Sequence, residues 1–249
     1  MSELVRRRDG DGVATLALNR PETLNALSPQ LFEQLRAHLD AIAEQVESVG
    51  CVILRGEGRS FSSGNDLSAI LAGEAAPSPH FQAETLDAIE ALPQPVIASV
   101  RGHCYTGALE LALVCDLLVV SESAKFADTH GRWGMTPTWG MSQRLPRRVG
   151  PLRAREIMLT GRVIGGAESV SIGLANLCVP DEDLEEQTQA LARSIVANSW
   201  HTLRADKRLV NEGQRYTLAE GLAFERSNSM GITPDTLARL QEFGSKKRG

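Results

Sequence analysis

The chain has 249 residues, 42% hydrophobic and 23% charged, with Lys plus Arg at 26 and Asp plus Glu at 31 for a net charge of -5. A chain of this size buries about three quarters of its surface and needs neither disulfides nor a metal to fold, and the composition excludes a disordered chain, a collagen and a membrane bundle. The acidic balance and the 4% aromatic content argue against nucleic-acid binding, which needs a basic face or stacking rings, and no apolar run approaches the roughly 18 residues of a membrane span.

In chain order, Val13–Leu18 reads as a strand, stopped by Asn19-Arg20-Pro21 because proline gives no donor to a ladder. Ser28 caps a helix with Pro29 at its first position and Leu31, Phe32, Leu35, Leu39 and Ile42 on one face. Residues 51–55 form a buried-type strand, and a glycine-rich loop follows to Asp66. Residues 79–92 read as a helix, Pro95–Val100 as a strand and Gly102–Thr106 as a turn. Gly107–Cys115 then reads as an apolar helix and Asp116–Val120 as a strand. This alternation implies an α/β core with mainly parallel pairing. Helices are expected near 183–197, 200–213, 217–229 and 233–243, with no strand between them. The boundary is placed so that 1–195 is the α/β core and 196–249 a helical region. Cys51, Cys104, Cys115 and Cys178 show no zinc-ligand spacing and read as reduced thiols. No apolar segment of the secretory type stands in Met1–Arg8, so cytoplasmic residence is expected.

Two segments carry chemistry. The loop Gly56–Asp66 fails as a dinucleotide fingerprint, since Phe61 stands at the last glycine position, and it lacks the lysine of a phosphate loop. Its Ser63-Gly64-Asn65 stretch can instead present a bare backbone N–H. In Arg101–Asp116, Gly107 opens a helix whose free N–H groups favour an anion. Glu110 follows among Ala108, Leu109, Leu111, Ala112 and Leu113, surroundings that raise a carboxyl pKa as a general acid or base requires.

These segments resemble the crotonase family, the enoyl-CoA hydratase/isomerase superfamily. The likeness runs through Asn19-Arg20-Pro21, Leu24–Leu27, Phe61–Leu67, Pro95–Ala98, Gly107–Ala112 and Cys115-Asp116. It continues through Gly134, Pro137, Gly140 and Arg144-Leu145 to Leu159-Thr160-Gly161. The resemblance implies a spiral of ββα units with a C-terminal helical trimerisation region, and trimers or hexamers. It implies an acyl-CoA substrate, with coenzyme A as part of that substrate and no separate cofactor or metal. By motif, the N–H groups of Asn65 and Gly107 form the oxyanion hole, and Ala26, Ser63 and Arg59 meet coenzyme A. Ser68 and Glu22 stand where members carry a lysine. Trp133 and Trp139 border the acyl pocket, and His103 and Cys104 flank the site as wall residues. The basic run Lys246-Lys247-Arg248 reads as a disordered charged tail, with approach to a coenzyme phosphate as the alternative.

The likeness departs at the catalytic pair. Hydratases of the family use two glutamates, and Glu110 matches the first, while His130 stands at the second. Histidine also moves protons near neutral pH. Asp128, two residues away on an expected strand, would share the His130 face and could orient it, replace it, or be a solvated strand-end acid. The expected function is that of an enoyl-CoA hydratase-like lyase. The alternatives are isomerisation, thioester hydrolysis, or acyl-CoA binding without turnover.

Overall fold

The computed structural model describes residues 3–246. Its first half contains β1 (Val5–Gly10), β2 (Val13–Leu18), α1 (Pro29–Glu44), β3 (Cys51–Gly56), α2 (Leu67–Leu71), α3 (Phe81–Ala91), β4 (Val96–Val100), β5 (His103–Tyr105), α4 (Gly107–Leu113) and β6 (Leu117–Ser121). The second half contains β7 (Lys125–Ala127), α5 (Met141–Val149), α6 (Pro151–Thr160), β8 (Ile164–Gly165), α7 (Gly166–Ser171), β9 (Leu177–Val179), α8 (Leu184–Val196), α9 (Trp200–Gly213), α10 (Leu218–Asn228) and α11 (Thr236–Lys246).

Six strands form the main sheet in the order β1-β2-β3-β4-β6-β9, antiparallel only between β1 and β2. Period-2 alternation decides its two faces. Leu16, Leu18, Val52, Leu54, Val96, Ala98, Leu118 and Val120 face the main core with Phe32, Phe61 and Phe126. Val13, Cys51, Ile53, Ile97 and Val119 face Leu184 and Ala192 of α8. Strands buried on both faces read as continuous apolar runs, which is why they were legible in the sequence.

After β2, β3, β4 and β6 the chain doubles back into a short extended piece lying beside the previous one. Leu27 bridges Asn65, Ser62 bridges Cys104, and β5 pairs with β7 in a second sheet that ends with β8. This is the expected ββα spiral, and it stacks the 62–65 loop, β5 and β7 in one layer. Ser28 caps α1 by accepting from Leu31 N at 3.3 Å, with Pro29 at the first position, as expected.

Three local expectations are corrected. Residues 103–105, expected within a turn, form β5, because they continue the ladder to β7. Helix α4 stops at Leu113 rather than Cys115. Three residues further on, the Asp116 carboxylate accepts from Val96 N and meets Lys207 Nζ at 2.8 Å. The strand expected to carry Asp128 and His130 ends at Ala127, and His130 opens a 3-10 turn to Trp133. Among the described residues no helix is long and apolar enough to cross a membrane. Of the terminal basic run, Lys247 and Arg248 lie outside the described residues, and Lys246 is placed only as the end of α11.

Candidate active site

A cleft of about 520 Å³ opens where the 62–65 loop, the start of α4 and the 128–139 segment meet. Ala26, Ser63, Asn65, Gly107, Glu110, His130, Trp133 and Trp139 all line it. Gly64 makes the close approach possible. Its φ is +100°, and a Cβ there would stand 2.5 Å from the Tyr105 carbonyl oxygen and 3.6 Å from Gly107 N. The Gly64 carbonyl accepts from Leu27 N and the Asp66 amide donates to Leu27 O, which leaves Asn65 N–H between them without an acceptor among the described residues. Asp66 caps α2 and is held by Arg20 at 2.7 Å.

Gly107 N–H, at the first position of α4, likewise has no acceptor among the described residues. The turn that presents it is strained, since Thr106 has φ 51° and ψ -109°, a conformation costing about 1–3 kcal/mol for a non-glycine residue. Its surroundings hold it there. Thr106 N donates to Ala127 O at 2.8 Å, and the Thr106 and Thr129 hydroxyls lie 2.5 Å apart.

Glu110 is fully buried one turn later. Its Oε1 accepts from Trp139 N at 3.0 Å and Met141 N at 2.9 Å, the second amide lying at the start of α5. Its Oε2 lies 3.8 Å from His130 Nε2. Burial raises the Glu110 pKa above the usual carboxyl range, against the pull of the two amides and of His130, and the nearby Asp128 charge adds to the rise. The apolar neighbours in the sequence announced the burial, whereas the two amides come from a segment 29 and 31 residues away and left no sequence signal. Arg144 fixes that segment by donating to Trp139 O at 2.8 Å while pairing with Asp87 and Glu90 of α3.

Asp128 is not a solvated acid. It is buried, and its Oδ1 accepts from His130 N at 3.1 Å and lies 2.7 Å from His130 Nδ1. Burial by itself lowers the His130 pKa, but the Asp128 hydrogen bond and the charges of Asp128 and Glu110 outweigh it and raise the pKa overall. The turn after β7, not strand alternation, brings Asp128 against the ring.

Other expected residues divide. Trp139 packs edge-on to Phe32, with ring centroids 5.1 Å apart, and lies against Gly107; Trp133 is 57% exposed at the cleft wall. The N–H groups of Ala26 and Ser63 donate to Thr23 O and Leu24 O, so carbonyls are what these backbones offer a ligand, and that of Ala26 also holds Arg20. Arg59 is exposed and outside the cleft lining. His103 is tied to Ser60 and Cys104 to Ala108 O, and neither lines the cleft. Burial pushes the Cys104 thiol up and lowers the His103 pKa, the latter helped by Lys125 and Arg59. Sequence reading missed Tyr105, Arg132 and Met135, which also line the cleft. Among the described residues no group of three or more His, Cys, Asp or Glu is arranged to hold a metal ion.

The ββα spiral thus gathers two amides without a bond among the described residues, a buried carboxylate and an imidazole into one cleft. Comparison with known proteins gives the family. Residues 8–238 match the family model described as Enoyl-CoA hydratase/isomerase, and the chain belongs to that family, within the crotonase superfamily. It is 33% identical to the Arabidopsis thaliana protein named "Probable enoyl-CoA hydratase 1, peroxisomal", over 97% of this chain and 94% of that one. It is 32% identical to a crotonyl-CoA hydratase of Syntrophomonas wolfei, over 95% of this chain and 93% of that one. Among solved structures, the enoyl-CoA hydratase of Bacillus anthracis superposes with a TM-score of 0.92 at 33% identity, covering 98% of this chain and 96% of that one.

Proposed function

We propose that the protein is an enoyl-CoA hydratase, a lyase that adds water across, or removes it from, the bond conjugated to an acyl-CoA thioester. One observation carries this reading: the free amides of Asn65 and Gly107 share a cleft with Glu110 and His130. The thioester oxygen accepts from both amides. When oxygen adds at the β-carbon, charge moves onto that thioester oxygen, and each donor there is worth about 3–4 kcal/mol in comparable sites. Glu110 and His130 then move the protons. Such a reaction exchanges only water and protons, so coenzyme A, as part of the substrate, is the only coenzyme needed.

Ala26 and Ser63 carbonyls meet the adenine end, and Arg59 contributes an exposed positive charge on the same loop. Trp133, Met135 and Trp139 wall the acyl group. The relatives support hydration, while His130 at the second glutamate position is the specific observation favouring the alternative, isomerisation or thioester hydrolysis through the same enolate. A panel of enoyl-CoA thioesters separates them: hydroxyacyl-CoA marks a hydratase, a shifted double bond an isomerase, free coenzyme A a hydrolase, and binding without turnover a non-catalytic homologue.

The reading extends to assembly. Val210, Leu218, Leu222, Leu237 and Leu240 stay exposed in the single chain, which supports their burial between copies in a trimer or hexamer. We propose cytoplasmic residence, a reading that its four free cysteines support as thiols suited to a reducing compartment.

A further inference from the structure

The two-glutamate arrangement needs one protonated and one ionised carboxyl, a total charge of -1. Replacing one glutamate by a neutral histidine would remove the acid. The structure supplies a third member. Asp128 grips both the backbone amide and the Nδ1 of His130 through one oxygen, leaving Nε2 aimed at Glu110. An imidazolium between two carboxylates again totals -1.

We propose that Asp128 is a positioning residue that keeps His130 as the imidazolium, making His130 the acid and Glu110 the base of the hydration. The proposal rests on the hydratase reading. Water oxygen bonds to the β-carbon while one of its protons passes to Glu110. The π electron pair of the double bond takes the Nε2 proton to form the C–H bond at the α-carbon. One water is consumed, and the site is left with a protonated Glu110 and a neutral imidazole. Transfer of that proton from Glu110 Oε2 to His130 Nε2, 3.8 Å apart, restores the starting state.

Among the described residues no third charge shifts the ring. Arg132, on the same 3-10 turn, donates to Gly161 O. On α6, which packs against this turn, Arg153 pairs with Glu156. Tyr105 and Asp66 line the cleft, and Asp66 is paired with Arg20. Asp128 and Glu110 are the groups whose charges act on His130.

The test is D128N, whose amide oxygen can still accept from Nδ1–H but carries no charge. NMR titration of the imidazole nitrogens, with the His130 signals assigned through H130Q, should show the His130 pKa falling by about one pH unit or more. Because the acid must be protonated, the alkaline limb of kcat for crotonyl-CoA hydration should move down by the same amount, with KM little changed. D128E should restore the limb, and D128N placed in an H130Q background, where no imidazole titrates, should leave the alkaline limb where H130Q alone puts it. A His130 pKa that D128N leaves in place, or an alkaline limb that D128N moves as far without His130 as with it, overturns the proposal. If D128N does not fold, the wild-type titration decides, and a ring that titrates below a free imidazole overturns it. A wild type that hydrates no enoyl-CoA refutes the hydratase reading instead, and the NMR titration reports on the Asp128–His130 pair independently of that.

Discussion

Glu110 is the residue where chemistry and architecture can be separated by two substitutions. Its Oε1 holds two backbone amides and its Oε2 faces His130. Glu110→Gln keeps an oxygen for both amides and removes the proton-accepting oxygen together with its charge. Turnover should fall at least about 10²-fold, the usual scale for a general acid or base, which is roughly 2.8 kcal/mol of barrier at about 1.4 kcal/mol per tenfold. Binding of a saturated acyl-CoA, measured by calorimetry, should be retained.

Stability should move the other way. Because burial raises the Glu110 pKa in the folded chain above its unfolded value, the native state binds the extra proton. Stability contributed by the protonated form is therefore present at low pH and lost as pH rises from the ordinary carboxyl range through the raised one. Above that window ionised Glu110 is a burden, so Gln should leave the protein as stable at pH 8 or more so. Glu110→Ala, in contrast, strands both amides at about 1–3 kcal/mol each and should lower the melting temperature clearly. A Gln variant within about fivefold of wild-type turnover, against that general acid–base scale, would refute the reasoning. A Gln variant as unstable as Ala would also refute it.

The remaining predictions concern the wall, the assembly and the cofactor. Gly107→Ala sets a Cβ 2.4 Å from Trp139 Cζ3. Phe32 backs that ring, so the 139–141 segment must shift, lowering kcat and costing about 1–3 kcal/mol by denaturant unfolding; unchanged kinetics would show that the contact is slack. Light scattering at micromolar concentration should give a trimer or hexamer, and a monomer would contradict the role given to the exposed apolar positions of α9–α11. Chelation by EDTA and addition of a nicotinamide cofactor should leave the rate unchanged, and a rate lost to EDTA and restored by a metal would contradict pure proton transfer.

What the sequence revealed follows from how local each signal is. Strands β2, β3 and β4 and helix α1 declared themselves because apolar runs, a Ser28 cap and a helical stripe are local patterns. Asn65, Gly107 and Glu110 were legible because glycine-rich turns and a lone acid in an apolar helix are local too. Strands β5, β8 and β9 are two or three residues long, too short for periodicity, and exist through partners far along the chain. The amides of Trp139 and Met141 act through backbone, which carries no side-chain signature. Asp128 and His130 were paired by an alternation argument whose strand ends at Ala127; the pairing exists because an acid two residues before a turn can accept from the turn's own amide and ring. Arg59 was matched by position in a loop, and a loop position does not fix where a long side chain lies.

The central claim is that water is added to the conjugated bond while the thioester survives. Incubation of the wild-type protein with a trans-2-enoyl-CoA in water labelled with heavy oxygen, followed by mass spectrometry of the coenzyme A products, tests it directly. The account predicts a hydroxyacyl-CoA heavier by one labelled water, with the label on the β-carbon and the thioester intact. Free coenzyme A with label in the released acid, or an unlabelled isomer of the starting thioester, would contradict it.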